Sequence, residues 1–311
     1  MSLDREAPPP QIPTPTARLA LPPLRAPVEQ IVSEHTGRRW SIKDARDMSD
    51  YACHPCAILS DGAYSVFAKF SDAPNGYDQF QVELAALRLL RDRAGILIPI
   101  PIGILPVSGG TILVLQAVQA VDRAPRRWRQ IGQTLAQMHK IKGERFGLET
   151  NGFYGPLYQD NTPSDDWPKF YAERRLWPGL RLAIESGNMP PEVIRQVEKI
   201  ITRLSEFCGT ETVPTLLHGD AQQNNFISTE LGPVVIDPAV YYGNPEVDLA
   251  ALDSFQPVPE DVFEGYQEEL PIDPGFWERR DFWRIRLYLA AVTVEGPGHL
   301  WRLTGVLKKY S

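Results

Sequence analysis

Strand-like and helix-like segments occupy different parts of this sequence, and that asymmetry constrains the fold more than any single motif does. The N-terminal part contains two pairs of strand-like runs with one helical run between the pairs. A turn signal joins each pair, Asp61-Gly62 in the first and Ser108-Gly109-Gly110 in the second. The five runs are, in chain order, Cys56–Ser60, Tyr64–Phe70, Asp78–Arg93, Ile100–Val107 and Thr111–Gln116. This order predicts a small lobe built on an antiparallel sheet.

Helical periodicity dominates the chain after about residue 120, with a single interruption. Helices are predicted at Arg127–Lys140, Asp166–Ser186, Pro191–Phe207 and Phe282–Val294. The interruption consists of two short apolar strands, Val213–His218 and Pro233–Asp237. We therefore predict an α+β chain in which a small antiparallel-sheet N-lobe at 28–119 precedes a larger helical C-lobe at 120–311. Ligand sites favour the boundary between two lobes.

The first 27 residues have a composition of their own. Residues 1–27 contain eight prolines, and such a segment cannot form the hydrogen bonds of a helix. We predict an extended, flexible tail, with a proline-rich ligand motif as the alternative. A short helix, Val28–His35, is predicted to follow and to end at Gly37.

The composition excludes several classes of protein. The net charge of −7, from 32 Lys and Arg against 39 Asp and Glu, argues against nucleic acid as the main partner, because phosphate backbones bind clustered positive charge. Three cysteines are too few for an extracellular disulfide framework. The longest apolar stretch, Gly95–Val107, is interrupted by prolines and is shorter than the roughly 20 residues of a membrane-spanning helix. The N-terminal sequence lacks the pattern of a secretory signal, so we expect a cytoplasmic protein that does not bind a membrane.

Three polar residues of the C-lobe form the pattern with the clearest chemistry. Asp220 follows the first apolar strand in the sequence His218-Gly219-Asp220, Asn225 comes five residues later, and Asp237 ends the second strand. Phosphoryl transfer from ATP needs a carboxylate near the acceptor hydroxyl, and carboxylate and amide oxygens that hold Mg²⁺ on the phosphates. Asp220 is the candidate base, and Asn225 and Asp237 are the candidate metal ligands. The spacing resembles that of protein kinases, in which a catalytic Asp precedes a metal-binding Asn by the same step.

Each of these residues alone has an ordinary structural explanation. An Asp after Gly is usually part of a turn, and an Asp at the end of a strand is often a cap. Their combination, in this order and behind a lobe with strands, is what favours phosphoryl transfer. We expect His218 to brace the loop through hydrogen bonds rather than to ionise in catalysis.

The N-lobe offers residues that could bind the nucleotide. Lys69 lies among apolar residues of a predicted strand, where a lysine needs a partner, and Glu83 lies on the next helix. Kinase-like lobes place a lysine of this kind on the α- and β-phosphates and orient it with a helix glutamate. The alternative is an exposed lysine and a solvated glutamate. The strand that ends at Gln116 would lead into the hinge, with backbone groups from Gln116 to Val118 binding the adenine edge.

The sequence Cys53-His54-Pro55-Cys56 raises the question of metal or redox chemistry. A single Cys-x-x-Cys lacks the second pair of ligands that a zinc site needs. We expect two ordinary core thiols, with a redox-sensitive pair as the alternative.

On these residues the sequence resembles the fructosamine kinases, also called ketosamine-3-kinases, among the aminoglycoside-phosphotransferase-like kinases. The resemblance extends from about Ser41 to about Trp301. The stretches that carry it are Phe207-Cys-Gly, Val213–Asp220, Gly232–Ala239, Tyr242-Gly243, Glu246, Asp248–Ala250, and the series Phe146-Gly147, Gly155, Gln159, Asn161, Asp166-Trp167, Phe170-Tyr171 and Arg175-Leu176. The last series is more particular to ketosamine kinases than the His-Gly-Asp loop, which choline and aminoglycoside kinases share.

The resemblance implies a two-lobed protein-kinase-like fold and Mg–ATP as the phosphoryl donor. It also implies a ketoamine as the acceptor, phosphorylated on the hydroxyl of its third carbon, either free or on a glycated lysine. Substrate contacts are expected around Trp167 and Arg175 and from the helices after residue 259. The other implied roles are base for Asp220, Mg²⁺ ligand for Asn225 and Asp237, phosphate contact for Lys69, and orientation of Lys69 for Glu83.

The sequence departs from the family pattern at two places. The loop between the first two strands usually contains glycines that cover the phosphates, whereas residues 44–50 read Asp-Ala-Arg-Asp-Met-Ser-Asp. The family commonly has Leu-Trp-Ser-Gly after the catalytic Asp, whereas residues 221–224 read Ala-Gln-Gln-Asn. Neither change removes a catalytic group, but both bear on the substrate.

Two alternatives to a ketoamine kinase follow. The same chemistry could act on an aminoglycoside, a choline-like alcohol or another small hydroxyl compound. A pseudokinase that senses nucleotide is the second alternative, supported by the loop without glycine and opposed by the intact set of polar residues. The sequence leaves the oligomeric state open, and we favour a monomer.

Overall fold

The computed structural model describes Leu19 and residues 22–49, 54–208 and 212–310. Its helices are α1 Pro22–Thr36, α2 Gly76–Ala94, α3 Pro125–His139, α4 Trp167–Tyr171, α5 Trp177–Glu185, α6 Pro191–Thr202, α7 Glu246–Ala251, α8 Asp261–Gln267, α9 Phe276–Trp283, α10 Ile285–Val294 and α11 Leu300–Tyr310. Its strands are β1 Asp44–Asp47, β2 Cys56–Ser60, β3 Ser65–Ser71, β4 Pro101–Val107, β5 Gly110–Gln116, β6 Gly152–Tyr154, β7 Leu157–Gln159, β8 Thr215–Leu217, β9 Phe226–Thr229, β10 Gly232–Val235 and β11 Tyr241–Gly243. The chain divides into two compact units, one made of Met1–Phe80 and Ile100–Ala117 and the other of Gln81–Pro99 and Val118–Ser311.

The first unit is built on a five-stranded antiparallel sheet in the order β1-β2-β3-β5-β4. Both predicted hairpins are present, as β2–β3 and β4–β5. In β3, Lys69 lies opposite Cys56 on one side and Leu113 on the other. Helix α1 packs against β4 and adds Val28 and Val32 to the apolar core of the sheet.

Helix α1 begins earlier than predicted. Gly37 follows it with a φ of 65°, as the predicted stop at this glycine requires. The prediction of a flexible tail is wrong for residues 22–27, which are helical, and Leu24 is buried. Prolines in the first turn of a helix give up no hydrogen bond, and burial of Leu24 and Val28 outweighs the single bond that Pro27 removes. Residues 1–18, 20 and 21 lie outside the described residues.

The segment predicted as a loop at 44–50 is a strand in its first half. Strand β1 pairs with β2 from Asp44 opposite Ser60 to Asp47 opposite Ala57. An outermost strand needs only one neighbour, so exposed charged side chains are compatible with it. The connection between β1 and β2 is therefore 48–55, and residues 50–53, with Cys53, lie outside the described part. Cys56, the other cysteine of that motif, is buried in β2.

The second unit is mainly helical and contains three two-stranded sheets, β6–β7, β9–β10 and β8–β11. The predicted strands Val213–His218 and Pro233–Asp237 appear as β8 and β10. The predicted helix Phe282–Val294 is divided at Arg284, whose side chain donates to Ala250 O and pairs with Asp253. The predicted helix Asp166–Ser186 contains a π turn at 172–176, just before Pro178, which has no N–H to donate.

Helices α3 and α8 of this unit are in backbone contact. A Cβ added at Gly132 would collide with the carbonyl oxygen of Val262, and one added at Gly265 would collide with that of Arg129. The two glycines therefore allow an approach that larger residues would prevent. His139, at the end of α3, is carried next to Tyr266 of α8 by the same contact.

The compact units and the predicted lobes differ in one segment. The units assign residues 81–99 to the helical part, whereas the lobe boundary at 119/120 stays a prediction. Within the described residues, no helix combines the length and the apolarity that crossing a bilayer requires.

Candidate active site

The loop that carries Asp220 is held by a buried carboxylate. Strand β8 leads directly into His218-Gly219-Asp220, and the backbone N–H groups of His218 and Gly219 donate to Asp248 at 2.7 and 3.0 Å. Asp248 is fully buried at the start of α7. Gly219 has a φ of 81°, and a Cβ there would collide with the carbonyl oxygen of Ala239. Only glycine therefore fits this turn.

Asp248 is in turn connected to α3 and α8. His139 Nε2 lies 3.2 Å from Asp248 Oδ2, and His139 Nδ1 lies 2.9 Å from the hydroxyl of Tyr266. Complete burial lowers the pKa of His139, so the imidazole is neutral, donates its Nε2 proton to the carboxylate and accepts from Tyr266. This chain of hydrogen bonds fixes the backbone of the loop that carries Asp220.

His218 braces the same loop, as predicted. Its Nε2 lies 3.0 Å from the carbonyl oxygen of Ile236, and its Nδ1 lies 3.2 Å from the backbone nitrogen of Asp220. A carbonyl can only accept and an N–H can only donate, so His218 is the neutral tautomer with its proton on Nε2. Both ring nitrogens are occupied by the backbone, which leaves none for proton transfer.

Asp220 is half-buried and accepts three side-chain hydrogen bonds. Its Oδ1 accepts from the hydroxyl of Tyr154 at 3.0 Å and from Nε2 of Gln222 at 2.8 Å. Its Oδ2 accepts from Nδ2 of Asn225 at 3.2 Å. Burial raises the pKa of Asp220, and the donors and the nearby Arg286 guanidinium oppose that rise. A carboxylate with a raised pKa is a stronger base than an ordinary Asp.

Asn225 and Asp237 are brought together by the backbone. The N–H of Ile236 donates to the carbonyl oxygen of Asn225 at 3.0 Å, so Asn225 lies beside the residue that precedes Asp237. Nδ2 of Asn225 also donates to the carbonyl oxygen of Asp220 at 2.8 Å. Because the contacts of Asn225 with Asp220 both use the amide nitrogen, Oδ1 of Asn225 is the atom suited to a metal ion. An amide oxygen and a carboxylate are the ligands that Mg²⁺ prefers, so this donor set fits a magnesium ion.

Asp237 has an unusual backbone. Among the described residues it is the one non-glycine residue with a left-handed conformation, with a φ of 51°. Asp tolerates this region better than most residues, but the conformation still costs about 1 kcal/mol or more. Such strained residues cluster at functional sites, and here the strain is at a predicted metal ligand.

The predicted nucleotide residues are divided between the two units. Lys69 is buried in β3 and Gln116 ends β5, both in the first unit, whereas Glu83 and Val118 belong to the second. The backbone N–H of Gln116 donates to Ile100 O at 2.8 Å, and that of Ala117 donates to Ser65 O at 3.0 Å. The amide hydrogens of 116 and 117 are therefore used within the sheet. The roles of these four residues stay predictions.

Trp167 and Arg175, around which substrate contacts are predicted, are buried, and their part in substrate binding stays a prediction. Trp167 is 3% exposed and packs against the rings of Phe146, Phe170, Tyr171 and Trp283. Arg175 is 2% exposed, and its guanidinium lies 4.1 Å from the ring of Tyr241 and donates to Asn161 Oδ1 at 2.6 Å. Burial lowers the pKa of Arg175 to about 9. Both side chains stabilise the interior of the second unit.

The sequence model of the fructosamine kinase family matches residues 25–310. The chain belongs to the fructosamine kinase family. It is similar to a probable ketoamine kinase of Synechocystis sp., with 30% identity over 288 residues that cover 91% of this chain and 95% of the relative. It is also similar to the crystal structure of a proposed fructosamine-3-kinase from Thermobifida fusca YX-ER1, with a TM-score of 0.78, 31% identity, and coverage of 91% of this chain and 97% of that one.

A more distant structure establishes the wider fold group. A choline kinase from Streptococcus pneumoniae matches with a TM-score of 0.59 and 16% identity over 91% of this chain and 98% of its own, a likeness that shows the fold alone. The predicted family and the predicted α+β, kinase-like fold are thereby confirmed. As a member of the fructosamine kinases, the chain is a phosphotransferase with an alcohol group as acceptor.

The residues of the site that the sequence analysis missed include Asp248, Gln159, Tyr154 and Arg286. Asp248 and Gln159 lie in stretches that carry the family resemblance, so that resemblance was the available signal. Tyr154 and Arg286 had none, because they reach Gly219 and Asp220 only through tertiary structure.

A cavity of about 240 Å³ lies in the second unit, and its lining does not include Asp220, Asn225 or Asp237. The lining comes from one face of α2, from Leu148, residues 150–153 and Asn161, and from Pro238–Val240. No charged side chain lines it, so it suits neither phosphates nor Mg²⁺.

Proposed function

We propose that this fructosamine kinase transfers the γ-phosphoryl group of Mg–ATP to a sugar hydroxyl of a ketoamine, with Asp220 as the base. The observation that carries the proposal is the arrangement of three polar residues. Asn225 donates to the carbonyl oxygen and to the carboxylate of Asp220, and Ile236, which directly precedes Asp237, donates its N–H to the carbonyl oxygen of Asn225. The acceptor oxygen forms a bond to the γ-phosphorus, and the bond from that phosphorus to ADP breaks. The hydroxyl proton passes to Asp220.

The raised pKa of Asp220 supports this role. A base works best when its pKa is close to the working pH, and burial moves this carboxyl in that direction. Below its pKa the protonated carboxyl cannot take the hydroxyl proton. We therefore expect an acidic limb in the kcat profile at a higher pH than an ordinary Asp would give.

Asn225 and Asp237 would hold Mg²⁺ in this proposal. The ion supplies positive charge that neutralises the phosphate oxygens during transfer. Asn225 presents its amide oxygen because its amide nitrogen is held by Asp220, and the left-handed backbone at Asp237 fixes the start of that side chain. Lys69, oriented by Glu83, would contact the α- and β-phosphates, and backbone groups from Gln116 to Val118 would bind adenine.

The ketoamine acceptor is proposed on the similarity to a probable ketoamine kinase and to a proposed fructosamine-3-kinase, which cover nearly the whole chain. The free ketoamine and the glycated lysine of a protein both present the same sugar. The likeness to choline kinase is confined to the fold, so it does not favour a choline-like acceptor. We propose a cytoplasmic enzyme that acts as a monomer.

The proposal is tested by measuring Mg²⁺-dependent ADP release with fructosyl- and ribulosyl-amines beside aminoglycosides and choline. The parent enzyme should respond to ketoamines, and Asp220→Asn should lose turnover by a factor on the order of 10² or more. Asp165→Asn is the matched control, because the Asp165 side chain is 82% exposed and forms a surface ion pair with Arg145. If only an acceptor other than a ketoamine stimulates ADP release, the proposed substrate is wrong and the proposed phosphoryl transfer stands. Unchanged turnover in Asp220→Asn would show that this residue is not the base.

A further inference from the structure

The hairpin β6–β7 delivers a tyrosine to the proposed base. Tyr154 ends β6, and its hydroxyl donates to Asp220 Oδ1 at 3.0 Å across 66 positions of sequence. The next strand carries a second tyrosine, Tyr158, whose side chain is 58% exposed and packs its ring against Phe153. The hairpin therefore carries one tyrosine whose hydroxyl donates to Asp220, Tyr154, and one exposed tyrosine that serves as its comparison, Tyr158.

The hydrogen bonds of Asp220 are unevenly distributed over its two oxygens. A carboxylate offers about four acceptor positions, two on each oxygen. Tyr154 and Gln222 fill both positions of Oδ1, at 3.0 and 2.8 Å. Asn225 fills one position of Oδ2, at 3.2 Å. The remaining position is on Oδ2, the oxygen that also faces the proposed metal ligand Asn225.

Arg286 holds Tyr154 in place from the face of its ring. The side chain is 6% exposed, and its guanidinium carbon lies 4.5 Å from the centre of the Tyr154 ring. The same guanidinium donates to Gln159 Oε1 and, at 3.4 Å, to the carbonyl oxygen of Gly219. Gln159 is itself anchored by its Nε2, which donates to Ala239 O at 3.1 Å. The plane of the ring is thus fixed relative to the loop that carries Asp220.

We propose that Tyr154, held by Arg286, is a positioning residue that occupies Oδ1 of Asp220 and leaves Oδ2 as the oxygen for the acceptor hydroxyl. This inference rests on the proposed role of Asp220 as the base. With the hydrogen bond in place, rotation of the carboxylate would break two contacts at once, so the accepting oxygen keeps one orientation. The hydrogen bond also favours the charged form of Asp220 and therefore lowers its pKa, against the effect of burial.

The test is Tyr154→Phe, which removes the hydroxyl and keeps the ring under Arg286. We expect kcat for the ketoamine to fall roughly tenfold, with the KM for ATP unchanged. The acidic limb of the kcat profile should move to higher pH, because loss of a donor to the carboxylate raises the pKa of Asp220. Tyr158→Phe removes the same group from the exposed neighbour and should match the parent. A kcat and an acidic limb equal to those of the parent would overturn the inference.

A direct titration separates this inference from the proposed function. The carboxyl carbon of Asp220 can be followed by NMR in protein with labelled aspartate and assigned by its absence in Asp220→Asn. Its midpoint should rise in Tyr154→Phe and stay in place in Tyr158→Phe, whether or not any ketoamine is phosphorylated. An unchanged midpoint in Tyr154→Phe would refute the contact itself. Inactivity of the parent toward every acceptor, with the midpoint shifted, would refute only the function.

The contribution of Arg286 is tested by Arg286→Lys, which keeps the charge and loses the planar group over the ring. If Arg286 acts through Tyr154, the double variant with Tyr154→Phe should lose little more kcat than Tyr154→Phe alone. If the factor by which kcat falls in the double variant equals the product of the factors for the two single variants, Arg286 acts independently of Tyr154 and is removed from the proposal.

Discussion

At the scale of single residues, the site depends on groups that do not touch a substrate. Asp248 accepts hydrogen bonds from two backbone N–H groups of the loop that carries Asp220 and from one imidazole, all in the interior. Its carboxylate is the shared partner of three donors, and each would otherwise be buried without one. The position of Asp220 is therefore determined by a carboxylate 28 residues further along the chain.

We expect Asp248→Asn to destabilise the protein as well as to reduce activity. The amide nitrogen replaces one of the two carboxylate oxygens, so at least one of the buried N–H groups of His218 and Gly219 loses its acceptor, which costs roughly 1–3 kcal/mol. The free energy of unfolding, measured by urea denaturation, should fall by about that amount. Tyr266→Phe, which removes only the outer end of the hydrogen-bond chain, is the control and should cost less. Equal stability of Asp248→Asn and the parent would show that the loop does not depend on this carboxylate.

At the scale of secondary structure, the crossing of α3 and α8 leaves no room for a side chain at two positions. The backbones touch at Gly132 and Gly265, where a methyl group would meet carbonyl oxygens. The crossing also determines where His139 and Tyr266 meet, and thereby where the chain of hydrogen bonds to the loop that carries Asp220 begins.

Gly132→Ala should therefore destabilise the protein although alanine favours helices. Relief of the collision requires the two helices to move apart, and overpacking of this kind typically costs about 1–3 kcal/mol. Gly305→Ala is the matched control, since Gly305 lies in α11 with open space around it. That substitution should stabilise the protein by about 0.5–1 kcal/mol, because glycine is a poor helix former. Thermal unfolding of both variants gives the comparison, and a loss of stability in both or in neither would contradict it.

The long, periodic elements could be predicted from the sequence, and the short ones could not. Helices α2 and α3 and the hairpin β2–β3 agree with the prediction within a few residues, because their apolar spacing or turn residues are local signals. Strands β6, β7 and β11 have three residues each, too few for a period to be visible. Strand β1 was missed because its charged residues suit a loop as well as an exposed strand.

The residues of the candidate site likewise separate into those that the sequence could predict and those that it could not. The proposed base and the proposed metal ligands could be named from the sequence because they lie within one short stretch, at a spacing that the chemistry requires, and their roles stay predictions. The burial of Trp167 and Arg175 could not be predicted, because the motif that carries the family resemblance does not indicate which of its side chains are buried. The partners of Asp220 other than Asn225 and Gln222 come from distant segments and have no local signal.

At the scale of the whole molecule, Lys69 and Gln116 belong to one compact unit, and the proposed base Asp220 belongs to the other, together with Glu83 and Val118. This division allows nucleotide binding to be measured separately from turnover. A ligand that binds only the folded state stabilises it by about 2.7 kcal/mol at a hundred times its dissociation constant.

Mg–ATP should raise the melting temperature of the parent and of Asp220→Asn alike, by several degrees at saturation. Lys69→Ala should lose most of this increase at the same ATP concentration, because the phosphates lose their proposed cation. Lys43→Ala, which removes an exposed lysine just before β1, is the control and should behave like the parent. An identical increase in Lys69→Ala and the parent would exclude Lys69 from the phosphate site.

The two outer strands of the five-stranded sheet have a consequence for how copies of this protein behave towards one another. Strand β1 carries three charged side chains in four residues, and β4 lacks an amide hydrogen at Pro101 and Pro106. A second copy that added a strand to either edge would have to bury charge or leave carbonyl groups unpaired. The folded sheet is thereby protected against growth into intermolecular sheets, so fibrous aggregation requires this part of the chain to unfold first.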